Sequence, residues 1–105
     1  IGYASSSIRR KENIQDAGLD CIAKVNALRP HKFTWKSSGK QDYGLIAEEV
    51  YKVCPELVIT EKINGKDIPC AVDYEGGLPK LLLPYVQDLN RRLSALEERY
   101  GAVST

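Results

Sequence analysis

The sequence lacks the features of several large functional classes. No apolar run approaches the roughly 20 residues that a membrane helix requires, so a membrane-spanning protein is not expected. Lysine and arginine (15 residues) nearly balance aspartate and glutamate (14 residues), and a net charge of +1 gives no overall attraction to nucleic acid or acidic lipid. The sequence has no glycine-rich phosphate loop. We therefore expect no nucleic-acid, membrane or small-molecule partner and no cofactor.

Cysteine and histidine are also scarce, which bears on metal and catalytic sites. The cysteines are three in number, lie far apart and form no C-x-x-C pair, so neither a disulfide framework nor a metal site is predicted for Cys21, Cys54 and Cys70. Free cysteine is usually buried, so reduced and mostly buried thiols are expected. The single histidine, His31, has no triad partner nearby, which favours a surface or structural role over a Ser-His-Asp hydrolase.

What is present is the composition of one small domain. The chain has 105 residues, of which 43% are hydrophobic and 28% charged, as in ordinary globular proteins. Residues 16–28 predict a short amphipathic helix, because Asp16 can cap its start and Pro30 follows its end. Its apolar face is predicted from spacings of three and four residues between Leu19, Ile22, Val25 or Ala23, and Leu28.

The next segments predict a strand and a second helix. Residues 31–36, HKFTWK, alternate apolar and polar side chains as a half-buried strand does. Residues 37–42, SSGKQD, have the composition of a turn. Residues 43–57 begin apolar and become helical. Within them Glu48 and Glu49 would point in different directions, so we interpret them as a solvated face or as ion-pair partners.

Residues 57–73 predict a β-hairpin. Two β-branched runs flank an Asn64-Gly65 pair, which suits the positive φ angles of a type I′ turn. The tip of this hairpin is polar, so it is expected to project. Together with the helices, the hairpin predicts a small mixed domain of the α+β class.

The C-terminal segment has the most regular pattern in the chain. Its apolar residues alternate spacings of four and three, which is a heptad seam formed by Leu82, Val86, Leu89, Leu93, Leu96 and Tyr100. Such a narrow seam predicts that a long helix packs against other helices. A coiled coil of fewer than about three heptads is stable only beside a folded domain. Packing of the seam on its own domain is the alternative.

Residues 5–14, SSSIRRKENI, hold the one pattern that could carry chemistry. Serine is a weak nucleophile unless a base takes its proton, and a lysine near positive charge can be that base. Arg9 and Arg10 supply such charge beside Lys11. A serine-rich linker followed by a basic run is nevertheless common, so Ser6 and Lys11 alone are a weak signal.

The same stretch resembles the S-D-x-R-x-K-x-N-I signature of the intramolecular chaperone auto-processing domain, or peptidase S74 family, of phage tailspikes, neck appendages and tail fibres. Three further blocks of that family follow in order: LRPHKFTW, YGLIAEEVYKVCPELV and VDYEGGLPKLLLPYVQDL. The resemblance implies that Ser6 is the nucleophile and Lys11 the catalytic lysine, with Arg9 and Asn13 in support. Ser7 stands where the signature has aspartate, and Glu48 where a later block has glutamine.

The resemblance also implies an architecture and an activity. The C-terminal helix would form a trimeric coiled-coil-like bundle, and the homotrimer would assist the folding of an upstream β-helical stalk of the same polypeptide. The domain would then act once as a serine endopeptidase, in cis or within the trimer, cutting between Ser5 and Ser6. Residues 1–5 would be the remnant of the stalk and residues 6–105 the chaperone domain. The expected location is the host cytoplasm during virion assembly, first within a fibre precursor and then free after the cut.

Contact between Ser6 and Lys11 has a geometric condition. Five residues span about 7.5 Å along a helix axis and up to about 17 Å when extended, so hydrogen bonding requires a bend or a neighbouring subunit. The alternative function is a non-catalytic trimerisation or attachment module of a viral fibre. A regulatory coiled-coil adaptor would fit the last twenty residues or so but would leave the four ordered blocks unexplained.

Overall fold

Within residues 6–101 the chain folds into three α-helices and two small antiparallel sheets, which confirms the predicted α+β class. The computed structural model describes residues 6–101. The elements are α1 (Gly18–Ala27), β1 (His31–Thr34), β2 (Gln41–Gly44), α2 (Ala47–Val53), β3 (Val58–Ile63), β4 (Lys66–Val72) and α3 (Leu78–Tyr100), with 3-10 helices at Ile8–Arg10 and Pro55–Leu57. None of the helices in the described part is long and apolar enough to cross a membrane.

The first sheet joins β1 and β2, with Phe33 opposite Asp42. The predicted strand at 31–36 is confirmed for its first four residues. The predicted turn extends two residues too far, because β2 already begins at Gln41. The backbone closes this turn when Trp35 N–H donates to the Lys40 carbonyl at 2.8 Å.

The second sheet is the predicted hairpin of β3 and β4. Asn64 (φ 52°) and Gly65 (φ 77°) both lie in the left-handed region, as a type I′ turn requires. The prediction from the Asn-Gly pair is therefore confirmed. A register shift at Ile59 and Thr60 bends the ladder opposite Pro69, which has no N–H to donate.

A small core lies between the helices and the base of this hairpin. Its buried members are Cys21, Val50, Cys54, Leu57 and Leu81. Two of the three cysteines are thus buried, as expected, while Cys70 is exposed. The predicted face of α1 is partly wrong, because Leu19 is 86% exposed and Cys21 takes the buried position.

Helix α3 packs on the domain through its first half, and every residue from Leu89 to Tyr100 is exposed. Leu81 packs into the core, and the Tyr85 hydroxyl donates to Asn26 Oδ1 on α1 at 3.0 Å. The seam lies on a neighbouring face and is between 38% and 73% exposed at all six positions. The alternative in which the seam packs on its own domain is therefore excluded for the single chain.

The chain is extended for its length. Its radius of gyration is 18.4 Å, with principal extents of 58, 44 and 28 Å. A compact domain of this size has a radius of gyration of about 13 Å. Much of the apolar surface of α3 is left without a partner in the single chain.

Candidate functional site

The N-terminal arm, defined as residues 6–17, contains a tight turn between Ser7 and Lys11. Ser7 caps the 3-10 helix Ile8–Arg10, and its Oγ accepts a hydrogen bond from Arg9 N–H at 3.2 Å. The Ser7 carbonyl accepts from Arg10 N–H at 3.0 Å, and the Ile8 carbonyl accepts from Lys11 N–H at 3.3 Å. These bonds fold the chain back on itself between Ser6 and Lys11.

The turn brings the two predicted catalytic residues together within one chain. Lys11 Nζ donates a hydrogen bond to Ser6 Oγ at 3.0 Å. The bend that the sequence analysis required is thus supplied locally, and no second subunit is needed for this contact. At this distance a neutral amine can accept the hydroxyl proton, which is the geometry that a serine nucleophile and a lysine base require.

Of the two predicted supporting residues, Arg9 lies between Ser6 and Lys11 in sequence and Asn13 follows Lys11. Arg9 Nε donates to Ser7 Oγ at 3.4 Å, so the Arg9 side chain is held against the residue that caps the turn. Asn13 has φ 53°, a left-handed conformation that asparagine tolerates better than most residues. Its position redirects the chain after Lys11. Ser5, the other side of the predicted cleavage site, lies outside the described residues.

The arm has no support from the core. None of residues 6–17 is buried, and the apolar side chains of Ile8 and Ile14 are 74% and 63% exposed. The Ser6–Lys11 pair therefore lies in water in the single chain.

A second polar cluster, which no pattern in the sequence indicated, lies beside the core. Lys24 Nζ contacts Glu56 Oε2 at 2.6 Å and Asp20 Oδ2 at 3.0 Å. The Cys54 thiol and then Lys24 lower the pKa of Glu56 to about 2. Burial and then Glu56 raise the pKa of the Cys54 thiol to about 11, so this thiol stays protonated and unreactive. The cluster therefore ties α1 to the segment after α2.

His31 and Glu49 form a further link, between β1 and α2. Their Nε2 and Oε1 atoms lie 2.7 Å apart. This confirms a structural role for His31 and an ion-pair or hydrogen-bond role for Glu49. Among residues 6–101, no three histidine, cysteine, aspartate or glutamate side chains are grouped closely enough to hold a metal ion.

An open cavity of about 720 Å³ lies between the first sheet, the start of α2 and β4. Its lining includes Phe33, Trp35, Tyr43 and Ile46, but neither Ser6 nor Lys11. Phe33 and Trp35 stack edge to face, with ring centroids 4.9 Å apart. The cavity is thus separate from the Ser6–Lys11 pair.

The chain was compared with models of known protein families. The model of the Peptidase S74 family, described as chaperone of endosialidase, matches residues 6–59. The matched region begins at Ser6 and includes the arm, α1, the first sheet and α2. A search of curated proteins found no match.

Proposed function

From the premise that the chain belongs to the Peptidase S74 family, the chaperone of endosialidase, we propose that it is an intramolecular chaperone that releases itself by autoproteolysis between Ser5 and Ser6. The observation that carries the proposal is the 3.0 Å contact between Lys11 Nζ and Ser6 Oγ at the first matched residue. The family gives the chaperone role. The geometry supports the serine and lysine chemistry.

The proposed cut proceeds in two steps. Lys11 takes the hydroxyl proton of Ser6, and Ser6 Oγ attacks the carbonyl carbon of Ser5. The C–N bond breaks as the C–O bond of an ester forms, and the protonated lysine returns its proton to the departing amine of Ser6. Water then hydrolyses the ester, which gives the carboxylate of Ser5 and restores the Ser6 hydroxyl. Each chain reacts once.

We propose further that the working form is a homotrimer. The support is the solvent exposure of the α3 seam, whose six residues are between 38% and 73% exposed in the single chain. Heptad seams bury such residues against neighbouring helices. Ile8, in the turn between Ser6 and Lys11, and Ile14, three residues after Lys11, are exposed and could be covered on assembly. Cleavage would then follow trimerisation.

The client in this proposal is the segment that precedes Ser6 in the same polypeptide, a β-helical stalk of a viral tailspike or fibre. Folding of such a stalk requires three chains in register, which a trimeric C-terminal domain can provide. Assembly and cleavage would take place in the host cytoplasm while the virion forms. Residues 6–105 would leave as the released chaperone.

The second candidate is a non-catalytic trimerisation or attachment module. The observation in its favour is that Ser6 and Lys11 are both exposed, so water surrounds the pair in the single chain. The seam and the projecting hairpin would then carry the function. The two candidates differ in one measurable property, which is whether the parent protein is cut before Ser6.

Mass spectrometry of the full-length parent protein tests this. Ser6→Ala and Lys11→Ala are each expected to leave the chain uncut but still trimeric. Ser37→Ala and Lys40→Ala, at exposed positions of the turn between β1 and β2, are the matched controls and should be cut like the wild type. A normal cut in either Ser6→Ala or Lys11→Ala would contradict the assignment.

A further inference from the structure

The Ser6–Lys11 contact depends on a turn that no buried side chain of the arm anchors to the rest of residues 6–101. The arm has no buried residue between 6 and 17, so packing does not select its conformation. A 3-10 helix of three residues is also too short to be stable through its own backbone bonds. The fraction of time that Lys11 spends beside Ser6 is therefore set by a few local hydrogen bonds.

Ser7 contributes the side-chain part of that local network. Its Oγ accepts from Arg9 N–H at 3.2 Å, which satisfies an N–H at the start of the helix that has no intrahelical partner. The same oxygen accepts from Arg9 Nε at 3.4 Å. A hydroxyl oxygen has two acceptor sites, so both bonds can form at once. Ser7 thus joins the backbone and the side chain of Arg9 across the turn.

The geometry points to Ser7 as a positioning residue for the cut, an inference that rests on the proposed function. Ser7 touches neither the Ser6 hydroxyl nor the Lys11 amine. It acts through the turn Ile8–Arg10, which shortens the span between Ser6 and Lys11 to hydrogen-bond distance. Arg9 supports the same turn, because its Nε donates a hydrogen bond to Ser7 Oγ.

Cleavage rates of the full-length parent protein test this role. Ser7→Ala removes the cap and is expected to slow the cut about fivefold, which corresponds to about 1 kcal/mol at 25 °C. Ser7→Asn keeps an acceptor of equal capping strength and is expected to restore most of the rate. Ser38→Ala is the matched control, because Ser38 Oγ accepts from Lys40 N–H at 3.2 Å in a turn remote in sequence from Ser6. It should be cut at the wild-type rate.

The outcomes separate this inference from the proposed function. If Ser6→Ala is uncut while Ser7→Ala is cut at the wild-type rate, Ser7 has no positioning role and the proposed function stands. If Ser7→Asn is as slow as Ser7→Ala, the cap is not what matters and the inference is overturned. If Ser6→Ala is still cut, the proposed function itself fails. Thermal unfolding of Ser7→Ala should match the wild type, because the arm lies outside the core.

Discussion

The hydroxyl of Tyr85 donates a hydrogen bond to Asn26 Oδ1 at 3.0 Å, and this bond joins α3 to α1. One turn earlier, Leu81 of α3 lies in the core. These two residues lie on the same face of α3, so they fix how the helix is rotated about its axis. That rotation leaves the seam of α3 facing solvent.

Removing the Tyr85 hydroxyl should therefore loosen α3. Tyr85→Phe is expected to lower the free energy of unfolding by about 1 kcal/mol, the typical contribution of one hydrogen bond. The melting temperature should fall by about 4–8 °C in a domain of this size. Thermal unfolding measures this fall in melting temperature. The protein concentration is kept fixed, because assembly also affects stability. Tyr43→Phe, at an exposed ring, is the control and should change little.

Charges placed in the seam should prevent assembly. Leu89→Asp combined with Leu93→Asp buries two carboxylates per helix in any bundle formed by the seam, which is strongly unfavourable. The variant is expected to be monomeric in analytical ultracentrifugation, and the parent protein carrying it should be cut at least tenfold more slowly, corresponding to about 1.4 kcal/mol or more.

A control for this variant lies on the other side of the same helix. Gln87→Asp combined with Ser94→Asp adds the same charge at exposed positions outside the seam. This protein should assemble and be cut as the wild type is. A trimer formed by the Leu89→Asp and Leu93→Asp chain would show that the seam is not the interface. A monomer cut at the wild-type rate would show that assembly does not gate the cut.

Local signals in the sequence were sufficient for some elements of the fold. The Asn64-Gly65 turn depends on the φ angles of two residues, and the heptad spacing of α3 depends only on the helix period. The buried face of α1 was harder to predict, because Cys21 is buried by contacts with distant elements while Leu19 is left outside. No pattern within α1 contains that information.

The candidate site could likewise be predicted only in part from the sequence. Residue types at Ser6 and Lys11 indicated a possible pair, but their separation depended on a backbone conformation that the sequence left open. A serine at position 7 was an observable cap signal for a turn at Ile8. The cluster of Lys24, Glu56 and Cys54 was out of reach, because its members are up to 32 positions apart.

Gly77 is expected to be essential for the start of α3. A Cβ at this position would lie 2.6 Å from Leu57 Cδ2 and 3.0 Å from the carbonyl oxygen of Asp73. Leu57 is only 1% exposed and cannot move aside freely. Gly77→Ala should therefore lower the free energy of unfolding by about 1–3 kcal/mol, as overpacked cores do. Chemical denaturation measures this difference.

The control for Gly77 is the glycine that begins α1. A Cβ added at Gly18 would meet only the end of the Asp16 side chain, at 3.2 Å, and alanine is the better helix former. Gly18→Ala should leave stability unchanged or raise it. If Gly77→Ala were as stable as the wild type, the close packing of Leu57 against the start of α3 would be wrong.

The Lys24 and Glu56 contact should make stability depend on pH in the acid range. The Cys54 thiol and then Lys24 lower the pKa of Glu56 from 4.5 to about 2. A carboxylate with a lowered pKa stabilises the folded chain above its unfolded pKa, and this contribution is lost as the pH falls from about 4.5 to about 2. The Glu56 side chain is 52% exposed, so solvent screens the contact and the effect should be small.

Glu56→Gln isolates this contribution. The variant should melt at a lower temperature than the wild type at pH 6, and the difference should shrink towards zero as the pH approaches 2, where the wild-type carboxylate also becomes neutral. Glu61→Gln, at an exposed position of β3, is the matched control and should show a smaller difference. A difference for Glu56→Gln that stayed constant from pH 6 to pH 2 would mean that the carboxylate's charge does not stabilise the link between α1 and the segment after α2.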